Sequence, residues 1–248
     1  MDSIADFTPE IQKGVSGFVT YLSAQDFSRP EVKNVGALLH GMLKSHDVHV
    51  SVLARSLEEK IAPKKTEERL HRTLRREGMG RRVLEANAEK NRDAIREKRF
   101  CIIDLSDIQK AYAVQMEGLE RVRDGDKSDR GEAVIGNGLY WINGVMADET
   151  GILPVYSELY GLAYEGHNHA SENGKILWIT DLVHRLHATA IHVLDRGGDR
   201  SVIIDVFIKD GKLFVVRGQD QRSLGLHRDS AKKTNIKKIA KRIRLTHA

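Results

Sequence analysis

Cysteine is all but missing from this sequence: among 248 residues there is only Cys101, so no internal disulfide can form. Its neighbours Phe100 and Ile102 are apolar, which marks a buried structural thiol rather than a reactive one. No stretch approaches the roughly 18 apolar residues that a membrane helix needs, and the first residues carry acids with no apolar run behind a basic start. Neither a spanning helix nor a signal peptide is expected, and a cytoplasmic protein is. There is no internal repeat and no low-complexity run. The Gly-Lys-Ser/Thr part of a P-loop is absent, as is a dinucleotide fingerprint. No serine sits in a nucleophile elbow, so a catalytic triad has no support. Aromatic residues make up only 6%, but a hydrophobic fraction of 40% is ordinary for a globular protein and argues against wholesale disorder.

Charge, by contrast, is plentiful. Lys and Arg number 40 against 35 Asp and Glu, giving a net charge of +5 and a pI near 9.2. That balance leans toward polyanionic partners, nucleic acid first. The length suffices for one large domain or two small ones.

The first hundred residues read as helices. Pro30 follows Ser28 where a helix can begin, and Val32, Val35, Leu38, Leu39, Met42 and Leu43 keep helical spacing. A short helix follows with Val50, Leu53, Ala54 and Leu57 on one face. After a break around Pro63, Thr66 is the expected N-cap of a basic helix. Leu70 and Leu74 form its seam, Arg69, Arg72, Arg75 and Arg76 ring the rest, and Gly78 and Gly80 end it. A charged helix from about Arg81 to Lys98 comes next. Short helix, turn, short basic helix is the pattern of a helix-turn-helix, and equally of an amphipathic bundle with solvated arginines.

At Phe100 the period changes. Phe100 to Asp104 is a short apolar run ending in an acid, as for a buried strand. Leu139–Ala147 and Ile152–Ala163 are β-like and flank Asp148-Glu-Thr-Gly151, so an antiparallel hairpin is expected. A helix from about Asn173 to His187 and a strand from Ala190 to Leu194, closed by Asp195, follow. Val202–Lys209 and Leu213–Arg217 flank Asp210-Gly211 and predict a second hairpin. Together these predict an α/β domain with a mixed sheet. From Arg222 to Ala248 there are nine Lys/Arg and one Asp, a basic tail or a final basic helix with Ile236, Ile239, Ala240 and Ile243 on one side.

Asp104 and Asp195 each close a strand and precede a loop. Ligands of mixed α/β sheets collect outside strand ends, and two carboxylates from such ends can converge on a hard cation. Two Mg²⁺ ions about 4 Å apart can activate a water or a 3′-hydroxyl for phosphodiester transfer. Each Asp read alone is equally a turn cap. The glycines of Asp195-Arg-Gly-Gly-Asp199 suggest open space for a phosphate. His167-Asn-His169 and the pair His184 and His187 lack further ligands at zinc spacing and read as loop and satisfied helix face. Trp141 and Trp178 read as core residues.

At these acids the chain resembles the DDE transposases of bacterial insertion sequences, in the branch known for a Tyr-Arg-Glu-Lys signature around its third acid. The matching stretches are Ile103-Asp104-Leu105-Ser106-Asp107-Ile108-Gln109-Lys110, Met116-Glu-Gly-Leu119, Arg123-Asp-Gly125, Val193-Leu194-Asp195-Arg196-Gly197, Phe214-Val-Val-Arg217 and Arg222. The resemblance spans about Arg99 to Arg222. It implies a ribonuclease-H-like core, cut-and-paste transposition and binding to terminal inverted repeats of double-stranded DNA. The expected location is with the nucleoid, and the expected partners are DNA and a second copy in a homodimer, with no membrane. Asp104 and Asp195 would be ligands of Mg²⁺ (or Mn²⁺), Lys110 would sit near DNA, and Arg217 and Arg222 would contact the strand end; these basic residues can equally be solvated. The family's third acid is a Glu downstream of the second Asp. Here the last Glu is Glu172. Asp205, Asp210, Asp220 and Asp229 lack the signature's surroundings, so the chain reads as a transposase truncated before that acid and is expected to be inactive as it stands.

The expected organisation is therefore an all-helical domain over residues 1–98, whose Arg69, Arg72, Arg75 and Arg76 are DNA-binding candidates. An incomplete ribonuclease-H-like core over 99–222, with the start of a β insertion, and a basic tail over 223–248 would follow it. The rival expectation is a non-catalytic fragment that occupies transposon ends. A third is a nuclease working with two acids alone.

Overall fold

Helices occupy the first part of the chain because its apolar residues recur at three and four positions, and strands begin where they start to alternate. The computed structural model describes residues 8–116, 118–123, 134–161, 170–219, 222–225 and 233–235. The chain divides into two compact units, Met1–Arg92 and Asp93–Ala248.

The first unit holds α1 (Thr8–Ser23), α2 (Arg29–Ser45), α3 (Val50–Ser56), α4 (Pro63–Leu74) and α5 (Met79–Lys90). Helix α2 begins at a capping box: the Glu31 carboxylate accepts the Ser28 backbone N–H and hydroxyl, both at 2.8 Å. Its apolar stripe divides between two cores. Val32 and Val35 pack with Leu22 of α1 and with Met79 and Ala86 of α5. Leu38 packs with Leu53 of α3 and Leu70 of α4, one leucine from each of three helices. Gly41 lets α2 and α3 come close, since a Cβ there would lie 3.1 Å from that of Leu53.

Several expected helix boundaries move. Helix α4 starts at Pro63, whose fixed φ suits the first helical position. Thr66 is therefore not a cap; it is fully buried, and its hydroxyl donates to Glu59 at 2.8 Å. Gly78 (φ 69°) precedes α5 rather than ending α4, and Gly80 lies within α5. The charged helix expected to run on to Lys98 breaks at Asn91, and α6 covers Arg92–Glu97.

The second unit is built on β1 (Phe100–Gln109), β2 (Glu120–Arg123), β3 (Ile135–Asp148), β4 (Gly151–Tyr160), α7 (Ala170–Leu186), β5 (Ile191–Leu194), α8 (Ser201–Lys209) and β6 (Leu213–Val216). It is a six-stranded mixed sheet in the order β2-β3-β1-β5-β6, with β4 also paired to β3. Strands β1, β3 and β4 pair antiparallel, whereas β5 runs parallel to β1 and β6 parallel to β5. The β3–β4 turn is held by Asp148, whose Oδ1 accepts from the Thr150 N–H (2.8 Å) and from Lys98 (3.0 Å). The Thr150 hydroxyl and Lys98 hold that carboxyl down to about 2. Beyond β6, β7 (Ser223–Gly225) and β8 (Lys233–Asn235) form a two-stranded antiparallel ladder where a tail or helix was expected. Residues 236–248 of that expected helix lie outside the described residues.

One face of the sheet is covered. Cys101, Ile103, Ile142, Met146, His192 and Leu194 are buried on it. Ile179 of α7 reaches so close to Gly144 of β3 that a Cβ there would lie 2.8 Å from its Cγ2. Cys101 sits in this layer with its thiol pushed up to about 12 by burial. On the alternate face Ile102, Leu213, Val215 and Ile152 are exposed. Trp141, expected in the core, is half-buried on that second face, where its Nε1 donates to Ser157 at 2.9 Å. Trp178 is half-buried too, its ring 4.9 Å from that of Tyr156.

The predicted second hairpin is absent, and the segment before Asp210-Gly211 is α8. Ile203 and Phe207, four apart and both fully buried, give that segment one covered face. Gly211 (φ 66°) takes the left-handed position that ends a helix, not a two-residue hairpin turn. Chain order β5-α8-β6 is thus a second parallel crossover, and Asp205 lies on α8.

His192 lies under α8, fully buried, its ring 5.6 Å from that of Phe207 and with both nitrogens lacking a hydrogen-bond partner. Burial first, then the nearby Lys212 ammonium, hold it down to about 4 from 6.5. The unfolded imidazole takes up a proton below about 6.5, while the folded one resists until about 4, so stability is full above that window and falls within it as pH drops. The loss approaches about 1.4 kcal/mol per pH unit. Urea midpoints between pH 7 and 4.5 should fall less in His192→Leu than in the parent. Parallel curves would show that His192 does not drive the effect.

Candidate functional site

Strand β5 pairs with β1 in the rows Phe100↔Ile191 to Ile103↔Leu194, and with β6 in the rows Ile191↔Leu213 to Leu194↔Val216. One residue further along each strand stand Asp104, Asp195 and Arg217. They stand side by side where the parallel pairing of three neighbouring strands ends. Neighbouring strands lie about 4.8 Å apart. The alternation that buries Ile103 places Asp104 on the opposite face of β1, and Asp195 directly follows the last residue of β5. Arg217 is fixed in the row by its backbone N–H, which donates to the Leu194 carbonyl at 3.0 Å.

Asp104 does not end its strand. β1 continues to Gln109, with Asp104 opposite Asn143 of β3, because β3 extends the antiparallel ladder past the point where β5 stops. The Asp104 Oδ2 accepts the Ser106 hydroxyl at 2.7 Å. Asp195 does act as a cap: its Oδ1 accepts the Gly197 N–H at 2.8 Å and opens a 3-10 turn over Arg196–Gly198. Both carboxylates are exposed, and among the described residues neither is paired with a cation. The space at the two glycines is not open. A Cβ on Gly197 would lie 3.0 Å from Asp195 Oδ1, and one on Gly198 only 2.5 Å from Leu194 Cβ. The turn folds back on its own strand end, so these glycines serve packing.

Arg222, expected at the strand end, is engaged within the protein. Its guanidinium pairs with the Asp199 carboxylate and donates to the Asp199 carbonyl at 2.6 Å. Asp199 is buried and also accepts the Gln219 N–H at 2.6 Å. Lys110 is exposed, but it lies six residues beyond Asp104 along β1, about 20 Å away at strand rise. Glu172, in the first turn of α7, pairs with Arg200 at 2.8 Å on the covered side of the sheet. Asp210 follows α8 and pairs with Lys212 at 2.9 Å, at the end of β6 remote from Arg217. Among the described residues no group of three or more His, Cys, Asp or Glu could hold a metal ion. Both acids are exposed oxygen donors and, among the described residues, make no ion pair, which is the donor chemistry a hard cation takes. His167, His169, Asp220 and Asp229 lie outside the described residues.

In the helical unit the four candidate arginines separate. Arg69 bonds Asn34 Oδ1 at 2.5 Å and Glu59 at 2.7 Å. Arg76 pairs with Glu31 at 2.9 Å. Arg72 and Arg75 are exposed and make no ion pair among the described residues. Sequence reasoning missed Ser106, Asp199, Arg29 and Lys33. The first two lie inside the quoted stretches, but the bonds that give them a role, Ser106 to Asp104 and Arg222 to Asp199, show only in the structure, and the last two show only as a helical spacing of four.

No family model matches the chain, and no curated protein matches it. Among solved structures it is similar to Mos1 transposase in a paired-end complex with the left transposon end, at 14% identity and a TM-score of 0.27. That match covers 79% of this chain and 60% of the other. So slight a likeness leaves function to be argued from this chain's own residues.

Proposed function

We propose that the chain is a transposase-type phosphodiester transferase acting on double-stranded DNA, with Asp104 and Asp195 as ligands of Mg²⁺ or Mn²⁺. The observation that carries this is the row Asp104, Asp195, Arg217 across β1, β5 and the end of β6. The insertion-sequence motifs named above supply those residues, and a ribonuclease-H-like core is in keeping with a mixed sheet whose parallel strands bring the acids side by side. A bound divalent ion supplies Lewis acidity at a scissile phosphate and lowers the pKa of a nucleophilic water or 3′-hydroxyl. The chain's own part is to present two exposed anionic side chains beside the end of the β1–β5 pairing, with Ser106 and the Gly197 N–H fixing one oxygen of each. Arg217 offers positive charge beside them to a phosphate. Lys110 would meet DNA further along.

The second reading is a non-catalytic protein that occupies DNA ends; it is favoured by the pair standing, among the described residues, without a third metal-ligating side chain. Two acids hold a cation less firmly than three. Calorimetric titration with Mn²⁺ separates the cases, followed by a nicking assay on a DNA duplex. Binding with a millimolar dissociation constant, lost in both Asp104→Asn and Asp195→Asn, is expected. If binding survives in both variants, the pair is not the site. Metal binding without nicking would favour the end-binding reading.

A further inference from the structure

We infer that the groove between α2 and α4 is a docking site for the phosphate backbone of duplex DNA, with Arg29, Lys33 and Arg72 making the contacts. This rests on the DNA-acting reading above and names where the helical unit would engage that partner. The groove encloses about 450 Å³, and its lining includes five cationic side chains, Arg29, Lys33, Arg69, Arg72 and Arg76, against one acid, Glu31.

The roles of these residues divide cleanly. Arg69 belongs to the floor: it bridges Asn34 and Glu59, and the Asn34 amide in turn donates to the Thr73 hydroxyl at 2.6 Å. These bonds, one buried and two half-buried, tie α2 to α4 and hold the groove's shape. Arg76 neutralises Glu31, which also accepts from Arg82 at 3.1 Å and from Ser28. The only acid in the lining is thus already matched and does little to offset the rim. Arg29, Lys33 and Arg72 are exposed and make no ion pair or hydrogen bond among the described residues. Arg29 and Lys33 are four apart on α2, so they share one side of that helix, and Arg72 opposes them from α4. Cations on both walls of a concave surface suit a polyanionic strand.

The outward side of α4 is a poorer candidate, although a helix-turn-helix reading would favour it. There Glu67 stands within 3.7 Å of Lys64 and 3.9 Å of His71, and Glu68 shares the same surface depression. A phosphate approaching that side meets carboxylates first.

The test is fluorescence anisotropy of a labelled 30-base-pair duplex with the full chain, without divalent metal, between about 50 and 200 mM salt. The triple variant Arg29→Gln, Lys33→Gln, Arg72→Gln is compared with a control triple of equal charge change outside the groove's lining, Lys44→Gln, Lys60→Gln, Lys64→Gln. Loss of three phosphate contacts should flatten the slope of log affinity against log salt by about 2.7 and weaken binding more than tenfold at low salt, while the control triple changes little. Thermal melting checks that both variants remain folded; single substitutions at the same exposed sites should each lower the slope by about 0.9. Equal losses in the two triples, or an unchanged groove triple, would overturn the groove. A parent chain that binds poly-glutamate as tightly as DNA would overturn it in favour of an acidic protein partner. Repeating the measurement with Asp104→Asn and Asp195→Asn together keeps the two proposals apart, because groove binding without metal should be unaffected by loss of the acid pair.

Discussion

Phe207→Ala should destabilise the sheet-bearing unit by about 3–5 kcal/mol, the range for removing a large aromatic side chain from a packed core. Phe207 is fully buried on α8, its ring 5.6 Å from His192 on β5 and 5.3 Å from Phe214 on β6. Truncation would open a cavity over the parallel crossover, and α8 is too short, at nine residues, to persist without that contact. Because α8 connects β5 to β6, its loosening also releases Arg217 from beside Asp195. Urea unfolding should show a large fall in midpoint, with Phe207→Leu costing well under half as much because most of the volume stays. A loss below about 1 kcal/mol for the alanine variant would mean that this side chain is not a core residue.

That second hairpin shows where the sequence was legible and where it was not. The β3–β4 hairpin could be read because long alternating runs flank a turn composition, and the structure pairs Ala147 with Ile152 across it. Val202–Lys209 contains Val, Ile and Phe in close succession, which by propensity is strand-like. Only the tertiary context, which covers Ile203 and Phe207 and leaves Val202 and Ile208 exposed, selects the helix. The Asp-Gly pair reads the same in either case, since Gly211 supplies a positive φ to a helix end as readily as to a hairpin. Asp104 and Asp195 could be singled out as acids following apolar runs. Their neighbourhood could not be deduced, because it depends on the register between strands about ninety residues apart in the chain. Arg69 and Arg72 look alike in the sequence, three apart on one helix. Glu59 and Asn34, from elsewhere in the chain, draw one inward and leave the other at the rim.

Arg222→Ala is expected to cost about 3 kcal/mol and to weaken metal binding at the acid pair. Asp199 is a buried carboxylate, and removing a buried ion pair's only partner leaves an uncompensated charge, which costs about 3–5 kcal/mol. The low end applies because Arg222 keeps 20% of its side-chain surface exposed and the Gln219 N–H would remain as a donor. The consequence for the site follows from position. Asp199 ends the turn that Asp195 opens, and Arg222 ties that turn to the chain leaving β6. Releasing the tie should let the turn shift, so that Asp195 no longer stands in the row with Asp104. Arg222→Lys should restore part of the stability through its charge but lose the fork that reaches both the Asp199 carboxylate and its carbonyl. Asp199→Asn alone should cost less than Arg222→Ala, because it removes the buried charge rather than stranding it. A double variant, Asp199→Asn with Arg222→Ala, should therefore lose less than the two single losses added together. Additive losses would show that the two side chains act separately, and Arg222 would then return to the surface as a candidate contact for DNA.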